Sequence, residues 1–303
     1  MYSKIETRFT SRWLPGFGLI AAALALIVSS CPRTDNAIEY VGTNSVIEYV
    51  ALGDSRAAAP DKVVGPGLDG CGRSANGYPV QIADLIRPTS FTDMSCAGAT
   101  SPNILTTAQV TTSPDGRRHD ATPQISALSA RTTLVTISIG GNDLRWWDLV
   151  SPCFPPEQNT DAKCRLDSGV QDRVDRRLTE LAGWIDADLD AVVAKSPKAT
   201  VVVVGHGGIY GPRGCGATAT FSALDAAWVA DFFATIDQVL RVRATAHNAR
   251  FVDVRNAAVG HDACAPPESR WFEGNVSTSS TPIRHPTPLG SRAIATLVVD
   301  AIR

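Results

Sequence analysis

Apolar residues fall along this chain in two alternating patterns. Short runs rich in β-branched residues, bounded by Gly or polar residues, occupy positions 46–52, 132–139, 199–204 and 250–254. Such runs mark strands buried on both faces of a parallel sheet. A weaker run of the same kind lies at 90–94. Between the runs the spacing becomes helical. From Ser168, with Gln171 as its capping-box partner, Val170, Val174, Leu178, Leu181, Ile185, Leu189 and Val192 recur at steps of three and four, and Lys195, Ser196 and Pro197 end the pattern. A second helix is expected from Ser222 to Arg243 on Leu224, Trp228, Phe232, Ile236 and Val239, and a third over 288–302. This alternation predicts an α/β fold, a three-layer α/β/α sandwich around a central parallel sheet with right-handed crossovers. In such sheets chemistry lies beyond the carboxyl ends of the strands.

The amino-terminal segment follows a different rule. Residues 1–30 carry Lys4, Arg8 and Arg12, then an apolar run at 16–28, then Ser29 and Ser30. That run is too short to span a bilayer as a helix, so the segment reads as an export signal. Val28-Ser29-Ser30-Cys31 resembles a lipobox with Val in place of the usual Leu, which makes Cys31 a candidate for lipidation and the protein either an envelope lipoprotein or a freely secreted one. Residues 31–45 are polar and read as a tether, and 46–303 as a single domain. The 303 residues are 44% hydrophobic and 19% charged, enough for a packed core and against disorder. Without residues 1–30 the chain keeps 25 Lys and Arg against 29 Asp and Glu, a net charge of −4. That balance argues against nucleic acid as a partner.

Seven cysteines stand at 31, 71, 96, 153, 164, 215 and 264. Setting Cys31 aside leaves an even six, which in an oxidising compartment suits three disulfides in any of about fifteen pairings. No C-x-x-C spacing and no clustered His accompanies them, so no metal is expected.

Candidate chemistry collects at the strand ends. Gly53-Asp54-Ser55 follows the first strand, Ser95-Cys96-Ala97-Gly98-Ala99-Thr100 the second, and Gly140-Gly141-Asn142-Asp143 the third; His285-Pro286 precedes the last helix. A hydroxyl is a weak nucleophile until a base takes its proton, and His285 is such a base. The backbone N–H groups of Ser55 and Gly98 and the side-chain amide of Asn142 supply donors for the oxyanion that attack on a carbonyl creates.

These four blocks, in this order and on these elements, resemble those of the SGNH or GDSL hydrolase family over residues 47–302, and are most similar to its secreted actinobacterial lipases and esterases with three disulfides. The resemblance implies the flavodoxin-like SGNH hydrolase fold, a serine carboxyl-ester hydrolase with Ser55 and His285 as its catalytic pair, no cofactor, and sequential bridges Cys71–Cys96, Cys153–Cys164 and Cys215–Cys264. One departure stands out. The family's usual Asp three residues before the His is here Pro282, so the backbone carbonyl of Pro282, or of a neighbour, is expected to accept from His285 Nδ1. Arg56-Ala57-Ala58-Ala59-Pro60 also replaces the family's usual aromatic and Gly after the nucleophile.

The remaining residues allow plainer readings. Asp54 is expected to serve its turn, and Asp143 to cap the helix after Asn142. Asp253 and Asp262 are remote candidates for a carboxylate partner of His285. His119, His206, His247 and His261 read as surface or loop residues, His206 least firmly because it follows a strand at the active edge. Trp146 and Trp147 either line an acyl pocket or pack a helix. The substrate is expected to be a small-molecule, lipid or glycan ester, the protein a monomer, and any membrane contact to run through the Cys31 lipid. Carbohydrate deacetylation and acyl transfer remain as alternatives, as does a non-catalytic binder of glycan or lipid.

Overall fold

A computed structural model describes residues 46–62, 70–113, 116–158 and 160–303. The expected signal and tether, with Cys31, lie outside the described residues. Five parallel strands form the central sheet: β1 (Glu48–Gly53), β2 (Ser90–Asp93), β5 (Leu134–Ser138), β6 (Thr200–Val204) and β7 (Arg250–Val252), in the order β2-β1-β5-β6-β7. Two further strands, β3 (Gln109–Thr112) and β4 (Arg118–Ala121), make a separate antiparallel hairpin. The three inner strands are apolar along almost their whole length, with every residue of β5 buried, as a sheet covered on both faces requires. β2, at an edge, alternates exposed and half-buried residues, and its sequence signal is correspondingly weak.

Helices form the outer layers. α2 (Tyr78–Ile86) packs against α9 (Pro288–Ile302), and α6 (Ser168–Lys195) against α7 (Ala223–Ala246). Short helices follow the strand ends: α1 (Ser55–Ala58) after β1, α3 (Ser101–Leu105) after β2, α4 (Gly141–Leu144) and α5 (Trp146–Val150) after β5, and α8 (Val254–Ala257) after β7. Counting only the central sheet, the order is 2-1-3-4-5, so the crossover direction changes between β1 and β5, where an open α/β sheet leaves a crevice. The disulfides are Cys71–Cys96, Cys153–Cys164 and Cys215–Cys264.

Several local expectations need correction. α6 begins at Ser168, but its cap is Asp167, which accepts from the N–H groups of Gly169 and Val170; the Gln171 side chain donates instead to the carbonyl of Arg165. A carboxylate takes two first-turn donors where a serine hydroxyl takes one, and its charge suits the helix dipole. On α7 Leu224 is 60% exposed, while Val229, Phe233 and Leu240 join Phe232 and Ile236 in the core. The buried stripe is centred away from the Leu224–Trp228 line because α7 meets both α6 and the sheet. Asp143 caps no helix of its own: its Oδ1 accepts from Ser101 N, the first residue of α3, 2.9 Å away. The hairpin β3–β4 had no sequence signal, being largely exposed and polar.

Candidate active site

Gly53 closes β1 where a side chain has no room. A Cβ there would lie 2.7 Å from the Ser138 carbonyl on the neighbouring strand. The Gln124 side chain clamps the same residue on both sides, accepting from Gly53 N at 2.7 Å and donating to its carbonyl at 2.9 Å. Asp54 then caps α1 by accepting from Arg56 N, which leaves Ser55 as the first helical residue, with its N–H outside the helical ladder.

His285 arrives from a segment pinned by Glu273 N donating to the His285 carbonyl, Arg284 N to that of Gly274 and Thr287 N to that of Trp271. Its Nε2 lies 2.7 Å from Ser55 Oγ, and its Nδ1 lies 2.7 Å from the carbonyl of Ile283. A carbonyl can only accept, so Nδ1 carries the proton and Nε2 is free to accept from the hydroxyl. The expected acceptor, Pro282, is off by one residue: Arg284 adopts φ +63, and this left-handed turn directs the Ile283 carbonyl at the ring. Asp253 and Asp262 are not partners of the ring. The first caps α8 and pairs with Arg241, and the second accepts from Cys264 N. Burial lowers the pKa of His285 below its ordinary value; Arg56 and Arg284 push the same way, against the Ile283 hydrogen bond and the charge of Asp54.

The groups expected to receive an oxyanion sit on neighbouring loops, and one bond ties them. Asn142 Nδ2 donates to the Ala99 carbonyl at 2.9 Å, which fixes the amide and leaves its second N–H uncommitted in that bond. Gly98, in an exposed turn, has φ +82, and a Cβ there would meet only Gln109 Nε2 at 3.7 Å. Backbone conformation, rather than crowding, requires glycine at this position. Gln109 donates to Ala97 O, Ala97 N to Cys71 O and Cys96 N to Gly53 O, so the hairpin and the Cys71–Cys96 bridge hold the turn against β1.

Ser55, His285, Asn142, Trp146, Trp147 and Pro282 all line one cleft of about 290 Å³, together with Asp54, Arg56, His206 and Arg284. Gly98 lies outside that lining, tied to it through Asn142. Both tryptophans line the cleft, and they also pack, Trp146 edge-on against Phe233 and Trp147 tilted against Phe154. A cavity of about 400 Å³ near Tyr210, Arg213 and Arg255 contains no comparable pairing of nucleophile and base.

Sequence reading missed the layer beneath the nucleophile. His206, read as a loop residue, is only 2% exposed; its Nε2 stands 3.7 Å from Asp54 Oδ2, and its backbone N–H donates to Asp237. Gly141 makes room for it, since a Cβ there would lie 2.4 Å from His206 Nε2. Burial pushes the Asp54 carboxyl up, but His206 and the Arg56 N–H outweigh it and hold the group below its ordinary pKa. Arg56 is buried, donates to the Gly205 carbonyl and lies over the Phe272 ring. The only hint of these in the sequence was the place of His206 after β6. His119 is exposed, His247 pairs with Asp186, and His261 stacks on Trp271. Among the described residues no group of three or more His, Cys, Asp or Glu could hold a metal ion.

The family model described as GDSL-like Lipase/Acylhydrolase matches residues 51–293. Lipase 2 of Streptomyces coelicolor is 29% identical over 266 residues, covering 84% of this chain and 86% of its own; lipase 1 of the same organism is 30% identical over 256 residues, covering 80% and 81%. The crystal structure of phospholipase A1 from Streptomyces albidoflavus superposes with a TM-score of 0.66 at 26% identity, covering 84% of this chain and 98% of that one.

Proposed function

Because the chain belongs to the GDSL-like lipase/acylhydrolase family and is an ester hydrolase of the lipase and esterase type, we propose that it cleaves carboxylic esters through an acyl-enzyme on Ser55. The observation that carries this reading is the chain of two 2.7 Å contacts from Ser55 Oγ to His285 Nε2 and from His285 Nδ1 to the Ile283 carbonyl. His285 takes the hydroxyl proton as Ser55 attacks the ester carbonyl, and the oxyanion is received by Ser55 N, Gly98 N and Asn142 Nδ2. The proton passes to the departing alkoxide. Water, activated by the same ring, then attacks the acyl-enzyme and releases the acid. The Ile283 carbonyl fixes tautomer and ring orientation, the part of the work that needs no charge.

The sequence of residues 1–30 supports an exported protein, the compartment in which three disulfides persist. An acyl ester of lipid type fits the aromatic wall of Trp146 and Trp147. The test is substitution. Ser55→Ala and His285→Ala should each abolish hydrolysis of p-nitrophenyl butyrate while retaining the wild-type circular dichroism spectrum. An active, folded Ser55→Ala protein overturns the assignment.

A further inference from the structure

The cleft holds a cation whose part in the ester chemistry goes no further than its push on His285. Arg284, one residue before His285, is half-buried and lines the same cavity as Ser55. Its guanidinium carbon sits 3.7 Å from the centroid of the Trp147 ring and 5.9 Å from that of Trp146. None of the described residues forms a side-chain hydrogen bond or ion pair with it. Asp54, the carboxylate of the same cleft, lies beneath the nucleophile, with its oxygens turned to Arg56 N and His206. The backbone that carries this side chain is strained and locked. A non-glycine residue at φ +63 is sparsely populated, and the turn is locked on one side by Arg284 N on Gly274 O and on the other by His285 Nδ1 on Ile283 O.

Stacking occupies only the face of a guanidinium. Its N–H donors lie in the plane, so an arginine laid on an indole still offers an edge that matches the paired oxygens of a phosphate or carboxylate. A half-buried cation without a protein anion, beside a nucleophile, has a ligand-shaped deficit. We propose that Arg284 is the anion-recognising residue of this cleft and that the preferred substrate is an ester bearing a phosphate or carboxylate oxyanion next to the scissile bond. The inference rests on the ester-hydrolase reading of the cleft and adds the charge of the substrate to it.

Two substrate pairs place the anion on opposite sides of the ester: octanoylglycerol phosphate against octanoylglycerol, and p-nitrophenyl hydrogen succinate against p-nitrophenyl methyl succinate. The readout is the ratio of kcat/KM, anionic over neutral, in the wild type, Arg284→Asn and Arg284→Lys. Asn tolerates the left-handed backbone, so charge is removed without added strain. In at least one pair the wild-type ratio should exceed one and fall by about 10- to 100-fold in Arg284→Asn, mainly through KM, the size expected for charge-assisted hydrogen bonds. Arg284→Lys should restore part of it. The pair that responds tells a phosphate on the alcohol side from a carboxylate on the acyl side. Should Arg284→Asn not fold, octyl phosphate must still inhibit wild-type hydrolysis of p-nitrophenyl butyrate more strongly than octanol does, and lose that advantage in high salt. Ratios unmoved by Arg284→Asn, no anionic preference in either pair, or equal inhibition by octyl phosphate and octanol would overturn the proposal. Loss of the ester-hydrolase reading is recognised separately, by residual p-nitrophenyl butyrate hydrolysis in Ser55→Ala.

Discussion

Asp188 offers a test of how the site is braced from behind. It sits on the buried face of α6, accepting from Ser101 Oγ at 2.8 Å, while Ser101 N donates to Asp143. This carboxyl pair joins α6, the Asn142 block and the helix that follows the Gly98 turn. Burial pushes Asp188 up to about 8 from 3.8, and the charge of Asp143 adds to the shift. An acid whose folded pKa is raised takes up a proton on folding. Its contribution to stability is therefore undiminished below pH 3.8, falls steadily as pH rises toward 8, and stays low above. At pH 7 the folded protein holds a proton that the unfolded chain has released, at about 1.36 kcal/mol for each pH step above 3.8, or at most about 4 kcal/mol. Asp188→Asn keeps an oxygen for Ser101 Oγ and removes the titration. Urea unfolding at pH 4, 7 and 8.5 should find the variant close to wild type at pH 4, more stable by up to about 4 kcal/mol at pH 7, and by up to about 6 kcal/mol at pH 8.5, above the folded pKa. A stability difference that does not grow with pH would refute the reasoning.

Two predictions concern turnover. Because burial, Arg56 and Arg284 hold His285 below its ordinary pKa of 6.5, the ring stays a competent base below that pH, and the acid limb of kcat/KM on p-nitrophenyl butyrate should fall at a pH lower than 6.5; a limb at or above 6.5 contradicts it. Asn142→Ala removes one proposed oxyanion donor and should lower kcat by about 10²–10³ with little change in KM; a loss carried mainly by KM would assign the amide to ground-state binding instead.

What could be read in the sequence divides along physical lines. Strands β1, β5 and β6 are covered on both faces, so their apolar runs are unbroken and legible; β7 stops at Val252, short of the expected 254, because Asp253 already caps α8. The edge strand β2 showed weakly, and β3–β4 not at all: Val110 is 56% exposed, and nothing in the pairing demands alternation. Ser55, Asn142 and His285 were legible because each has a distinctive residue type in a turn at a strand end or just before a helix. The acceptor for His285 was not, because any residue carries a backbone carbonyl, and only the turn at Arg284 selects that of Ile283. Arg56, His206, Asp188 and Asp237 escaped for the opposite reason. Charged and titratable residues are read as solvent-facing, and only tertiary contacts show that these are buried.

That buried layer also answers how a base works without the family's usual carboxylate beside it. A carbonyl fixes the ring but stabilises an imidazolium less than an anion does. Asp54 is the carboxylate whose charge favours protonation of His285, and its own lowered pKa keeps it ionised where the ring titrates. Arg56 and Arg284 oppose it, so the free cleft sets one anion against two cations and a loss of hydration. Such a balance suits a base that is neutral at rest and is charged only while a substrate is being turned over. An anionic group docking on Arg284 would cancel one of the opposing charges as the substrate arrives. Binding and basicity would then rise together, and the residue adjoining the base would serve both.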